Sequence, residues 1–314
     1  MKKITFIHIV LCFFIFAFFF TPAVVDLKVS LLEELKLKSL DMRFKFRGGR
    51  KPSGNIVIAG IESKGIETYG RWPWPRSVFA QLLIRLKESG AKTIVFDLLF
   101  PEPEENRVTQ AITSLAKTYK ELDLLRDNFR SQIFFDEMSQ IMEEADNDSL
   151  MGQAVDWSGN IILGMAFEPG ENKKKMTTSS NKALYQFNLE DKAWDRIHFF
   201  QREQMLLPIK ELEKGSVSMG FVNIFPDRDG IIRRAKSTIL SQQAPFMPLA
   251  IAAAAHYLGA DPFLNPNGSL QIADRKIAFD ASGDIYLDFY GIENTFTSFS
   301  IADIIEGRIL PGEL

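Results

Sequence analysis

The spacing of apolar and polar residues changes several times along the chain, and each change predicts an element. Continuous apolar runs of strand length lie at residues 56–61, 93–100 and 160–167, as is typical of strands covered on both faces. Residues 76–89 carry apolar positions at helical spacing, and Gly90 follows where that helix should end. A strand, a helix and a strand joined by short connections predict a βαβ unit with parallel strands.

The second half of the chain is richer in short strands. Residues 219–224 and 231–240 flank an Asp-Gly turn, which predicts a β-hairpin. Residues 248–258 are Ala-rich and predict a buried helix, and residues 272–279 and 285–290 predict further strands. The whole pattern predicts an α/β fold, with a mixed, largely parallel sheet and flanking helices.

Residues 104–146 interrupt the alternation of strands and helices. Two segments with helical spacing lie there, separated near Asp127 and Asn128. We expect a helical hairpin inserted into the domain, packed on it or lying at an oligomer interface. Residues 169–191 are polar and predict a solvated loop.

The N-terminal region is the most apolar part of the chain. Two lysines precede the apolar run 4–25, which would span about 33 Å as a helix, enough for a hydrocarbon core of about 30 Å. We interpret this run as a transmembrane helix rather than a cleaved signal peptide, because it lacks a clear small-residue cleavage pattern. The lysines predict that residues 1–3 are cytoplasmic. An amphipathic stalk over 26–40 and a domain over 41–314 would then be extracytoplasmic, anchored in the inner membrane and lying in the periplasm.

Composition narrows the chemistry. The chain has 314 residues and a net charge of −3, so it has no basic field that would attract nucleic acid. Its single cysteine, Cys12, allows neither an internal disulfide nor a cysteine-based zinc site, and its three histidines are far apart in sequence. Phosphate-binding, kinase and nucleophile-elbow motifs are absent from the sequence. We therefore predict no catalytic residue, metal or cofactor in this chain.

A stiff aromatic segment, Gly70-Arg71-Trp72-Pro73-Trp74-Pro75-Arg76, precedes the first long helix. Each tryptophan is followed by a proline, and proline keeps the preceding residue extended. One interpretation is a structural clasp with both indole rings buried. The other is a wall of a ligand pocket or a contact that transmits a signal.

Carboxylates are expected near this segment. Glu62 follows the first predicted strand, Asp97 lies late in the second, and Glu102 comes just after it. Ligands bind at the carboxyl ends of parallel strands, so we expect a cleft for a small polar ligand or a cation. The candidate ligand-binding residues are Glu62, Arg71, Trp72, Trp74, Arg76, Asp97 and Glu102.

Two alternatives to this cleft remain open. Asp97 could accept hydrogen bonds from loop backbone or pair with Arg71 or Arg76, which would only close the sheet edge. Asp97 and Glu102 could instead form the carboxylate pair of a periplasmic hydrolase, although two acids alone are not specific.

A second charged segment, Asp227-Arg228-Asp229-Gly230, begins like a calcium loop. It lacks the later glutamate that such a loop requires. We therefore expect a tight turn in which the aspartates pair with Arg233 or Arg234.

Three motif blocks in order resemble the CHASE2 extracellular sensory domain over residues 41–314. They are residues 70–103 with the Trp-Pro repeat, residues 220–234 with the Asp-Arg-Asp-Gly turn, and residues 284–291. The chain departs from the family pattern at Glu62, where an aspartate is usual. The resemblance implies a membrane-anchored sensor of an unknown small-molecule or environmental signal. Its structural motif residues would be Gly70, Pro73, Pro75, Asp227, Asp229, Gly230 and Arg233.

The resemblance also predicts what should accompany the domain. Members of this family usually continue with another strand, several membrane helices and a cytoplasmic adenylate or guanylate cyclase or a kinase. Residues 41–314 contain none of these, so we interpret the chain as a sensory domain truncated at its C-terminal end. The long segment 104–146 is reminiscent of cyclase-linked members. A homodimer is expected by analogy with other single-span receptors.

Overall fold

The structure is a computed structural model that describes residues 8, 10–17, 30–105, 107–122, 129–170, 182–185, 197–265, 267–309 and 312. The chain divides into two compact units. The first contains Met1–Ile56 and Phe289–Phe296, and the second contains Val57–Asp288 and Thr297–Leu314.

The first unit is built on one long helix. Helix α1 (Ser30–Arg47) covers most of the predicted stalk and continues beyond residue 40. Gly48 ends it with a φ of 72° and donates its N–H to the carbonyl of Phe44 at 3.1 Å. The N–H of Arg50 then donates to the carbonyl of Tyr290 at 2.6 Å, so the segment Phe289–Phe296 is tied to the chain just after the helix.

The predicted transmembrane segment lies mostly outside the described residues. Residues 10–17 of the run 4–25 are helical. Among the residues that the structure describes, no helix has the length and apolar character needed to cross a bilayer. Most of the predicted solvated loop, residues 171–181 and 186–191, also lies outside the described residues.

The second unit holds the remaining elements. Its helices are α2 (Ser63–Tyr69), α3 (Arg76–Glu88), α4 (Arg107–Glu121), α5 (Phe129–Glu144), α6 (Asn147–Ser158), α7 (Lys210–Gly215), α8 (Leu249–Leu258) and α9 (Ile301–Ile305). Its strands are β1 (Val57–Gly60), β2 (Ile94–Phe96), β3 (Ile161–Glu168), β4 (Phe200–Gln201), β5 (Gln204–Leu206), β6 (Ser218–Phe221), β7 (Arg234–Lys236), β8 (Ile239–Ser241), β9 (Ala244–Phe246), β10 (Phe263–Asn265), β11 (Ser269–Ile272), β12 (Arg275–Ala278), β13 (Asp284–Tyr286) and β14 (Thr297–Ser300).

A small parallel sheet lies at the centre of this unit. Strand β3 pairs in parallel with β2 on one side and with β6 on the other. All residues of β3 except the last are buried, as its continuous apolar run predicts. Ile161 and Leu163 belong to a core shared with α3 and α6, whereas Ile162 belongs to a second core shared with α8. The sheet therefore separates two apolar layers.

The first predicted βαβ unit is wrong in its strand pairing. Strand β1 pairs in parallel with β14, near the end of the described chain, while β2 pairs with β3. Helix α9 explains this arrangement, because it follows β14 directly and buries Ile301 and Ile304 in the same core as α3. Burial of α9 thus holds β14 beside β1.

The predicted hairpin over residues 219–240 is also wrong. Strand β6 stays in the parallel sheet with β3, and β7 pairs antiparallel with β13 instead. The sheet is therefore largely parallel only at its centre, and most strands of the second half form small antiparallel pairs. The Asp-Gly turn itself is present, with the N–H of Gly230 donating to the carbonyl of Asp227 at 2.9 Å.

Two helices occupy the region 104–146, as the helical spacing predicts. Helices α4 and α5 pack against each other, and the hydroxyl of Tyr119 donates to the carbonyl of Ser131 at 3.1 Å. The ring of Tyr119 also lies 5.6 Å from that of Phe134.

Candidate functional site

Trp74 is a buried clasp. Only 4% of its surface is exposed, and its indole N–H donates to the carbonyl of Gly70 at 2.8 Å. The ring lies directly on Gly65 of α2, where any Cβ atom would overlap it. The prolines and a cis peptide bond between Trp72 and Pro73 shape the loop that presents this ring. Trp74 therefore closes α2 against the start of α3.

Trp72 occupies a different environment from Trp74. Its surface is 39% exposed, and its ring makes edge contacts with Trp74 at 5.6 Å and Phe79 at 6.0 Å. Phe79 in turn contacts Phe96 at 6.0 Å and Phe100 at 5.8 Å. These five residues form an aromatic cluster on one face of the central sheet, with Trp72 at its solvent edge.

Arg76 fixes the loop after β2. Its guanidinium pairs with Asp148 of α6 and donates to the carbonyl of Glu102, and it lies 5.3 Å from the ring of Phe100. Its backbone N–H donates to the carboxylate of Glu104 at 2.7 Å. The ion-pair partner of Arg76 is therefore Asp148 rather than Asp97.

An open cleft of about 360 Å³ lies on the other face of the sheet. Phe96 points into the aromatic cluster, whereas its neighbours Val95 and Asp97 line the cleft. The cleft lies at the carboxyl ends of β2 and β6 and beside the first turn of α8, where an open parallel sheet binds ligands. Its lining residues are Val95, Asp97, Phe221, Val222, Asn223, Ala235, Lys236, Pro248, Leu249 and Ala250.

Three polar side chains of the cleft have different environments. Asn223 is engaged by the sheet, because it accepts from the N–H of Phe167 and donates to its carbonyl, both at 2.8 Å. Lys236 pairs with Asp284 at 2.6 Å. Asp97 is exposed and makes no hydrogen bond or ion pair with another described side chain. Its carboxylate is thus available to a ligand.

The ion pair of Lys236 belongs to a larger network of charged residues. Asp284 also approaches Arg234, whose Nε donates to Asp227 at 3.0 Å. Arg233 bridges Asp227 at 3.1 Å and Asp229 at 2.7 Å. The predicted pairing of the aspartates with arginines is therefore present. The carboxylate oxygens that would bind a calcium ion are hydrogen-bonded to guanidinium groups instead.

The pKa of Asp229 provides a test of this network. Hydrogen bonds from Arg233 lower the pKa of Asp229 from 3.8 to about 2. The group therefore stabilises the fold above pH 3.8, and this contribution is lost as the pH falls through about 2. We expect the melting temperature of the wild type to exceed that of Asp229→Asn at neutral pH, with the gap closing between about pH 4 and pH 2. If the difference in melting temperature stays constant over this range, the interaction of Asp229 with Arg233 does not depend on the charge of Asp229.

The structure does not bring the predicted site residues together. Trp72, Trp74 and Arg76 lie together on the aromatic face, whereas Asp97 lies in the cleft on the opposite face. The other predicted residues, Glu62, Arg71 and Glu102, have exposed side chains. Glu62 precedes α2 at its N-cap position, and Glu102 contributes its carbonyl to Arg76.

Two polar residues of the cleft, Lys236 and Asn223, were not predicted from the sequence. Lys236 reaches the cleft because β7 pairs with β13, a pairing that the predicted hairpin excluded. Asn223 carried a weak signal as a polar residue that follows the apolar strand β6. Its role depends on the neighbouring strand β3, which is distant in sequence.

The fold is α/β, with a mostly apolar cleft at the strand ends of its central parallel sheet. A comparison with protein families matches the CHASE2 domain over residues 10–314. The chain therefore belongs to the CHASE2 family of extracellular sensory domains. Searches of curated proteins and of solved structures found no match.

Proposed function

We propose that this chain is the signal-input domain of a membrane-anchored signal-transduction protein, and that the cleft beside Asp97 binds its signal. The observation that carries the proposal is the free carboxylate of Asp97 in an apolar cleft at the carboxyl edge of the parallel sheet. Membership of a sensory family supports it. A ligand that binds one arrangement of the domain better than another would shift the population of the two.

The anchor in this proposal is the apolar run 4–25. Its length and the two preceding lysines support an uncleaved helix with residues 1–3 in the cytoplasm and residues 26–314 outside it. A homodimer would carry the signal across the membrane. The chain itself would have no catalytic activity, and a nucleotide cyclase or a kinase elsewhere in the protein would produce the response.

Fusion reporters placed after residue 314 test the proposed topology. We expect alkaline phosphatase fused there to be active and green fluorescent protein fused there to be dark, because the former folds only outside the cytoplasm and the latter only inside it. Deletion of residues 4–25 should reverse both results. A fluorescent full-length fusion with inactive phosphatase would reject the proposed location.

A further inference from the structure

The cleft carries charges of opposite sign. Asp97 contributes an uncommitted carboxylate at the end of β2. Lys236 also lines the cleft, and its ammonium group has three N–H donors, of which Asp284 engages one at 2.6 Å. A ligand with a single charge would match only one of these groups, whereas a zwitterion would match both.

The first turn of α8 supports the anionic end of such a ligand. Leu249 and Ala250 line the cleft. Pro248 bridges Phe221 of β6, so the N–H of Leu249 faces that strand. The N–H of Ala250 precedes the first helical hydrogen bonds, which Ile251 and Ala252 make to the carbonyl of Pro248. This N–H and the helix dipole both favour negative charge at this position. They act there together with Lys236.

The rest of the cleft determines the size of the ligand and the polarity of its side chain. Seven of its ten lining residues are apolar, including Val95, Val222 and Leu249. The volume of about 360 Å³ is near the lower end of the range for small-molecule pockets, which is about 300–1,000 Å³. This favours a compact molecule with an aliphatic side chain over a nucleotide or a peptide.

We propose that the cleft binds a free α-amino acid with an aliphatic side chain. The ammonium of the ligand meets Asp97, its carboxylate meets Lys236 and the first turn of α8, and its side chain lies on Val95 and Val222. This inference rests on the proposed function, because it names the ligand class of the same cleft. An amine without a carboxylate would leave the remaining N–H donors of Lys236 without an acceptor, and a carboxylate without an amine would face the like charge of Asp97.

Three probes of one carbon skeleton test the ligand class on the full chain. They are L-leucine, isoamylamine, which lacks the carboxylate, and 4-methylpentanoate, which lacks the amine. We expect titration calorimetry to give L-leucine the tightest binding, with each singly charged probe weaker by about tenfold to a hundredfold, the usual value of one charge-assisted hydrogen bond. Asp97→Asn should weaken L-leucine by a similar factor and should not weaken 4-methylpentanoate.

Glu62→Gln is the matched control, because Glu62 is also an exposed acid that follows a strand but lies outside the cleft lining. It should leave L-leucine binding unchanged. Equal binding of L-leucine and a singly charged probe, or no binding of L-leucine, would overturn the ligand class. Both results leave the topology found by the reporter fusions intact, so failure of the ligand class is distinct from failure of the proposed function.

Discussion

Arg233→Met is expected to lower the free energy of unfolding by about 3–5 kcal/mol, the usual cost of removing one partner of a buried ion pair. Arg233 is only 2% exposed, and its guanidinium bridges Asp227 and Asp229. Methionine would fill much of the space left by the arginine. The buried carboxylate of Asp227 would lose one of the two arginines it pairs with and keep only Arg234. Urea denaturation followed by tryptophan fluorescence measures the loss.

Arg228→Met is the matched control for this prediction. Arg228 lies in the same turn but is exposed, so its replacement should change the free energy of unfolding by no more than about 0.5 kcal/mol. The double variant Asp227→Asn/Arg233→Met removes both charges and should recover part of the loss. Equal effects of the two arginine variants would mean that burial of Arg233 contributes little to stability.

Elements with strong local signals could be predicted from the sequence. Strand β3 and helices α3 and α8 each show one consistent pattern of apolar residues with clear signals at their ends. All three are present in the structure. The partner of β1 could not be predicted in this way. Strand β14 lies far along the chain, and nothing in the periodicity of either strand encodes their pairing.

The cleft residues also differ in whether their positions follow from local sequence or from contacts between distant parts of the chain. Asp97 could be predicted as a cleft residue because its position at a strand end is a local property. Lys236 could not, since it depends on the pairing of β7 with β13 and on the ion pair with Asp284. The alternative pairing of Asp97 with Arg76 fails for the same reason, because Arg76 pairs with Asp148, which lies on α6 and is distant in sequence.

The two tryptophans of the Trp-Pro repeat could not be distinguished from the sequence. Both precede a proline, and the repeat alone predicts the same geometry for each. Burial separates them in the structure, because Trp74 covers Gly65 while Trp72 remains partly in solvent. Gly65 of α2 leaves room for the ring of Trp74, but only the fold brings that glycine and that ring together.

Trp74→Ala should consequently cost about 3–5 kcal/mol of unfolding free energy. The change removes the ring contacts to Tyr69 at 5.4 Å and Trp72 at 5.6 Å, together with the hydrogen bond to Gly70. It also opens a cavity between α2 and α3 that the surrounding backbone can fill only in part. Urea denaturation followed by circular dichroism measures the effect without relying on the tryptophans.

Trp72→Ala is the control of the same residue type, two positions away. Because 39% of Trp72 is already exposed, less apolar surface returns to water and a smaller loss is expected. Gly65→Ala tests the clasp from its other side, since the added methyl group would overlap the ring of Trp74 and force it to move. Similar losses for Trp72→Ala and Trp74→Ala would make both rings structural. A small loss for Trp72→Ala alone would leave the exposed ring free to serve as a contact that transmits the signal.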